Sequence, residues 1–198
     1  MDTELLFRVV AILLFLTALT TSAYFRGRAA RAGDKTSWRA EGLPIMILLR
    51  LFGFSAWGGL LVYMINPAWM AWSALPLPAW LRWAGAGLGA VAVPLLYWMF
   101  RSLGRNITDT VAIRKEHTLV THGPYRWVRH PLYSFGFLLF IGFSLLTANW
   151  FIGLMGLCAL TLLVIRTPIE EAKLIERFGD EYREYMKRTG RFLPRLIR

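Results

Sequence analysis

Four apolar stretches dominate this chain of 198 residues, and three of them have the length of a bilayer crossing. A helix rises about 1.5 Å per residue, so the ~30 Å hydrocarbon core takes about 20 residues. Leu5 to Tyr24, Pro44 to Ile65 and Trp80 to Phe100 each meet that length. The fourth stretch, Leu132 to Ile165, is too long for one crossing and short for two. It breaks at Thr147-Ala148-Asn149-Trp150, which reads as the turn of a tight helical hairpin. The chain is therefore expected to be an all-α integral membrane protein with about five transmembrane helices, the last two a hairpin. Short spans tilt, thin the bilayer locally, or pack against protein instead of lipid.

The charges sort around these spans. Lys and Arg number five in Arg26 to Arg39, six in Arg101 to Arg129 and nine from Arg166 onward, but none in Asn66 to Ala79 or at the Asn149 turn. Positive charge stays on the cytoplasmic side, which puts the N-terminus outside and the C-terminus inside. The formal net charge of +11 thus reads as topology and anionic lipid heads, not as a nucleic-acid surface. Arg82 stands near a span end and is expected to snorkel to the interface. Arg50 lies inside the second span, where it either snorkels or faces a pocket. The single cysteine, Cys158, sits in an apolar run and reads as packing, with no disulfide to form. The first span has neither a basic start nor a small-residue cleavage site and is read as retained.

Against this apolar background the segment His117 to Tyr133, HTLVTHGPYRWVRHPLY, stands apart. Its seventeen residues hold all three histidines, two arginines, two prolines and two tyrosines. A segment this polar between spans is costly to hold folded unless it serves a ligand. A second polar block, Arg166 to Tyr185, follows the last apolar run. Both blocks fall on the cytoplasmic side, as two walls of one site would.

Several local patterns have plain structural readings. Gly85-Ala86-Gly87-Leu88-Gly89 imitates a dinucleotide-binding loop but lies within a span with no strand before it, so close helix packing is the reading. Pro94 in the same span is expected to kink it. The histidines are spaced by five and eight residues, without cysteines and with only Glu116 among them, which does not favour a metal site. Thr167-Pro168-Ile169-Glu170 reads as a helix start with a capping box. From Ile169 an amphipathic helix would then run to Gly179, on the membrane surface, with Asp180 capping a short successor through Lys187. Capping accounts for Glu170 but not for Arg166 or Glu171.

Taken together, the two blocks resemble the integral-membrane methyltransferases of the isoprenylcysteine carboxyl methyltransferase type. The elements that match are His117-Thr118-Leu119-Val120, Gly123-Pro124-Tyr125 and Arg129-His130-Pro131-Leu132-Tyr133. After the hairpin come Arg166, Glu170-Glu171, Leu174, Phe178-Gly179, Glu181-Tyr182 and Tyr185. The resemblance covers the C-terminal half. It implies one methyltransferase domain over 1–198, with three spans in 1–100, a cofactor-binding half in 101–198, a cytoplasmic cofactor pocket and a C-terminal amphipathic helix. It implies S-adenosylmethionine as methyl donor. His117, Thr118, Leu119, Val120, Tyr125, His130, Pro131, Leu132 and Tyr133 would line its pocket, and Glu170 would hold it from the second wall. Arg166 would be the catalytic residue that meets the methyl acceptor, a lipophilic small molecule or prenylated substrate. Phospholipid N-methyltransferases and NADPH-dependent sterol reductases share parts of the pattern and are the alternatives.

The residue types suit that chemistry. Tyr faces favour a nearby cation, and a carboxylate such as Glu170 can take an amino group or ribose hydroxyl. Methyl transfer is an in-line displacement, helped chiefly by alignment and exclusion of water. A carboxylate acceptor is already ionised and needs orientation by Arg166 alone. An amine or phenol would need a base, and a histidine could serve.

Overall fold

The structure is a computed structural model and describes residues 3–31, 43–107 and 118–195. Six α-helices make up the described chain: α1 (Thr3–Arg31), α2 (Leu43–Ile65), α3 (Ala79–Leu103), α4 (Pro131–Leu146), α5 (Trp150–Phe178) and α6 (Asp180–Arg188). A short 3-10 helix, Pro67–Ser73, follows α2. The helices α1, α2, α3 and α5 are long and apolar enough to cross a membrane, and α4 is a shorter apolar helix of 16 residues. At 1.5 Å per residue α4 is about 24 Å long, less than the ~30 Å hydrocarbon core. Protein surrounds it instead: α4 packs between α3 and α5, while α1 lies along α3 and α2 along α5.

Helix α1 illustrates how these segments divide protein from lipid. Phe7, Ala11, Phe15, Ala18, Phe25 and Ala29 form a buried stripe at helical spacing. Leu5, Val9, Leu13, Leu16 and Leu19 face outward. A helix apolar on every side, with small and aromatic residues alternating on its packed face, belongs in lipid.

The glycine run in α3 packs as its sequence predicts. A Cβ on Gly85 would lie 2.5 Å from Leu146 N and 2.7 Å from Gly142 O, and one on Gly142 would lie 2.9 Å from Gly89 N. The backbones of α3 and α4 therefore touch, which only glycine permits. The hairpin turn also falls at its expected place. Thr147, Ala148 and Asn149 separate α4 from α5, with Ala148 at a positive φ of 48°. Asn149 caps α5 by accepting from Ile152 N at 3.2 Å, and donates to Ser73 Oγ at 2.8 Å.

Four expectations need correction. Thr167-Pro168 does not start a helix, because α5 runs unbroken from Trp150 through Phe178. The Thr167 hydroxyl donates back to Leu163 O at 3.0 Å, as mid-helix threonines do, and Pro168 is carried inside the helix at the loss of one backbone bond. The residues expected to lie on the membrane surface are instead the last turns of this long helix. Gly179 ends it at φ 57°, as its position predicts, but α6 has no side-chain cap and Asp180 accepts from Arg183 within its first turn. Nor does Arg82 snorkel. It reaches Glu4 of α1 at 2.7 Å, the Tyr63 hydroxyl at 3.0 Å and Leu146 O at 3.0 Å, over the Phe7 ring. The Glu4 carboxylate, 37% exposed, pairs with the cation between α1 and α3.

Candidate functional site

The first wall of the site is an extended segment pinned at its start by a side chain. Asn106, just beyond α3, donates to Thr118 O at 3.0 Å and to its Oγ1 at 3.1 Å, and accepts from Thr118 N at 3.3 Å. The chain then makes one 3-10 turn, Gly123–Arg126. Gly123 has φ 61°, and a Cβ there would lie 2.1 Å from Ser102 Oγ, so the turn sits directly against α3. The turn buries Pro124 and Tyr125. Pro131 then opens α4 at a position that needs no backbone N–H, with His130 just outside. The rings of His130 and Tyr133 stack at 5.2 Å with an interplanar angle of 11°.

The second wall is the polar end of α5 with α6 behind it. Glu170 Oε2 accepts from the Tyr133 hydroxyl at 2.8 Å, and its Oε1 lies 3.9 Å from His130 Nδ1. Tyr133 also hydrogen-bonds Arg166 one turn earlier. Glu171, buried on the neighbouring face, collects Arg129 Nε at 2.9 Å, His130 Nε2 at 3.3 Å and the Arg191 guanidinium. A buried carboxylate is tolerable when charge-assisted donors surround it in this way. Tyr185 of α6 donates to Tyr125 O at 2.6 Å and so ties the second wall to the first. Burial raises the phenols of Tyr125, Tyr182 and Tyr185, the last to about 12, so all three stay neutral at physiological pH.

Between the walls lies a cavity of about 160 Å³. That is more than ten times the roughly 10–15 Å³ one buried water needs, so the space is on the scale of a ligand. Of the residues expected to form the site, Leu119, Val120, Tyr125, His130, Pro131, Leu132, Tyr133, Arg166 and Glu170 all line it. Thr118 does not, serving instead as the anchor for Asn106. His117 lies outside the described residues. Arg50 is exposed on α2 and is not among the lining residues.

The structure adds residues that sequence reasoning does not single out. Met99, Phe100 and Leu103 at the end of α3 give the cavity an apolar side, and Arg26 reaches it from α1. The Arg26 guanidinium lies 5.8 Å from the Phe100 ring centre, and its Nε donates to Ser22 Oγ at 3.1 Å. Apolar residues within a span carry no signal of such a role. Arg129 and Glu171 fall within the recognised motifs, but only the fold shows them paired across the two blocks.

The Phospholipid methyltransferase family model matches residues 80–181, which is half of the chain and contains the first wall and the polar end of α5. The chain belongs to that family, the fold and site being those of an integral-membrane protein with its polar cavity at one end of the bundle. Within the family it resembles the isoprenylcysteine type, as the two motif blocks imply. It is 40% identical over 94 residues to protein-S-isoprenylcysteine O-methyltransferase of Homo sapiens, covering 46% of this chain and 33% of that one. The Schizosaccharomyces pombe protein of the same name is 35% identical over 94 residues, 46% of this chain and 40% of that one. The cobalt-zinc-cadmium resistance protein CzcN of Cupriavidus metallidurans is 32% identical over 162 residues, 80% of this chain and 62% of its own length. Among solved structures, a eukaryotic intramembrane Ras methyltransferase, isoprenylcysteine carboxyl methyltransferase, superposes with a TM-score of 0.54 at 28% identity. That match covers 73% of this chain and 51% of the other. The chain thus spans a third to a half of the isoprenylcysteine methyltransferases it matches.

Proposed function

We propose that the protein is an S-adenosylmethionine-dependent methyltransferase acting on a lipophilic, membrane-partitioned acceptor, and that the acceptor group is a carboxylate of the isoprenylcysteine type. The observation that carries this reading is the closure of two motif blocks, separated in sequence by the α4–α5 hairpin, on one cavity. In this reading residues 101–198 hold the cofactor, and the cavity opens on the cytoplasmic side, with the N-terminus outside.

The residues fit such a cofactor. The Glu170 carboxylate keeps 30% exposure beside its Tyr133 bond, so it remains available to a cationic amino group or a ribose hydroxyl. The neutral Tyr125 and Tyr133 rings give faces that tolerate a cation. When bound, S-adenosylmethionine supplies an activated methyl group. The chain's part is to hold it, align the acceptor and keep water out. Met99, Phe100 and Leu103 offer the acceptor's apolar portion a surface at the bilayer edge, and Arg166 orients its carboxylate by paired hydrogen bonds. Arginines beside this surface favour an anionic acceptor over an amine.

The test is transfer of labelled methyl from S-adenosylmethionine by purified protein to N-acetyl-S-farnesylcysteine, its amide, and phosphatidylethanolamine. The reading expects labelling of the carboxylate alone. Labelling of phosphatidylethanolamine alone would move the protein to N-methylation, and labelling of none with no cofactor binding would end the reading.

A further inference from the structure

The cofactor wall has little structure of its own. Between Thr118 and His130 it contains one 3-10 turn, so its shape depends on what holds its ends. Asn106 holds the start. The other end is held by the stretch that follows α6, beyond the residues matched by the family model. Arg129 N donates to Gly190 O at 2.9 Å, His130 N to Arg191 O at 3.1 Å, and Gly190 N to Trp127 O at 3.0 Å. This is a short parallel pairing of Val128 with Gly190. Side chains extend it. Ser134 donates its hydroxyl to Phe192 O, and Arg129 Nη1 donates to Thr189 O at 2.5 Å. The stretch is itself built to turn back sharply, since a Cβ on Gly190 would lie 1.7 Å from Leu193 O.

Phe192 of this stretch touches residues that line the cavity, and Arg191 touches Glu171 beside them, while neither lines the cavity itself. The Phe192 ring lies 5.7 Å from Tyr133 and 6.0 Å from His130, backing the stacked pair. Arg191 meets Glu171, which also grips Arg129 and His130. Tyr133 in turn fixes Glu170. Moving Phe192 therefore loosens both carboxylate-bearing and aromatic faces of the cavity at once.

We propose that residues 189–193 form a buttress that sets the cofactor wall from behind, with Phe192 as the positioning residue for His130 and Tyr133 and Arg191 as its tie to α5. The inference rests on the cofactor reading above. Groups that orient the residues contacting a ligand typically alter affinity about ten- to a hundredfold. Positioning is also reciprocal: if the buttress preorganises the wall, ligand in the cavity stabilises the docked buttress by the same free energy.

The experiment titrates full-length protein in detergent with S-adenosylhomocysteine by calorimetry and follows hydrogen exchange at the amides of Arg129, His130 and Gly190. Phe192→Ala should weaken binding by about tenfold or more, while Phe192→Tyr and, on the outward face of α1, Leu13→Ala stay within about twofold of wild type. In wild type the ligand should slow exchange at all three amides, and in Phe192→Ala this protection should shrink. Unchanged affinity in Phe192→Ala overturns the inference while leaving the cofactor reading intact, as does ligand-insensitive exchange at these amides in wild type. That exchange readout decides the matter even if Phe192→Ala fails to fold. Absence of binding by wild type ends both the reading and the inference.

Discussion

Glu171 is the residue whose removal discriminates most sharply between a designed site and an incidental cluster of charges. Its side chain is 4% exposed and that of Arg129 is 9% exposed, so the pair is buried rather than superficial. Surface pairs contribute about 0–1 kcal/mol, whereas removing one partner of a buried pair costs about 3–5 kcal/mol because the other charge is stranded. Here the stranding is incomplete. Arg129 retains the carbonyls of Met186 and Thr189, and Arg191, 44% exposed, can turn to water. The low end of the range applies, and Glu171→Ala should cost about 3 kcal/mol. Glu171→Gln keeps the shape and one acceptor oxygen and should cost about 1–2 kcal/mol. Equilibrium unfolding in mixed detergent micelles, followed by tryptophan fluorescence, measures both. A loss below about 1 kcal/mol for Glu171→Ala would place the cluster with surface pairs and refute the reasoning.

Other perturbations separate binding from stability and turnover. Glu170→Ala should weaken S-adenosylhomocysteine by about tenfold, near 1.4 kcal/mol, while leaving the unfolding midpoint close to wild type. Arg166→Lys should leave cofactor affinity within about threefold and lower turnover by about a hundredfold, through loss of the paired hydrogen bonds; equal losses in both would refute its placement with the acceptor. Gly85→Ala should cost about 2–3 kcal/mol or more, since its methyl meets backbone of α4, and crosslinking across α3 and α4 reads the separation. Tyr185 ionises near pH 10 when unfolded but at about 12 when folded, so folding retains its proton and stability falls as pH rises through that window. Tyr185→Phe should flatten part of that alkaline loss in pH-dependent unfolding.

Much of the bundle is legible in the sequence because the bilayer imposes length and polarity on each span. The turn at Thr147–Asn149 is legible for a further reason: Asn149 is a helix cap in an otherwise apolar run. The continuity of α5 is not legible, since Thr-Pro-x-Glu is locally a helix start, and what Glu170 does is decided by Tyr133 on another helix. The two motif blocks predict their own meeting, and Tyr125, His130, Tyr133 and Glu170 do meet. Arg26 gives no such signal. It reads as one more cation at a span end, and only the packing of α1 along α3 brings it to the cavity. Arg82 is misread for the same reason, its partner Glu4 lying 78 residues away.

The central claim is tested most directly by a structure determined with S-adenosylhomocysteine. The account predicts ligand density enclosed by Tyr125, Tyr133 and Glu170, with its sulfur turned toward Arg166. Ligand seated elsewhere, or a cavity holding only lipid while the ligand is saturating, would contradict it.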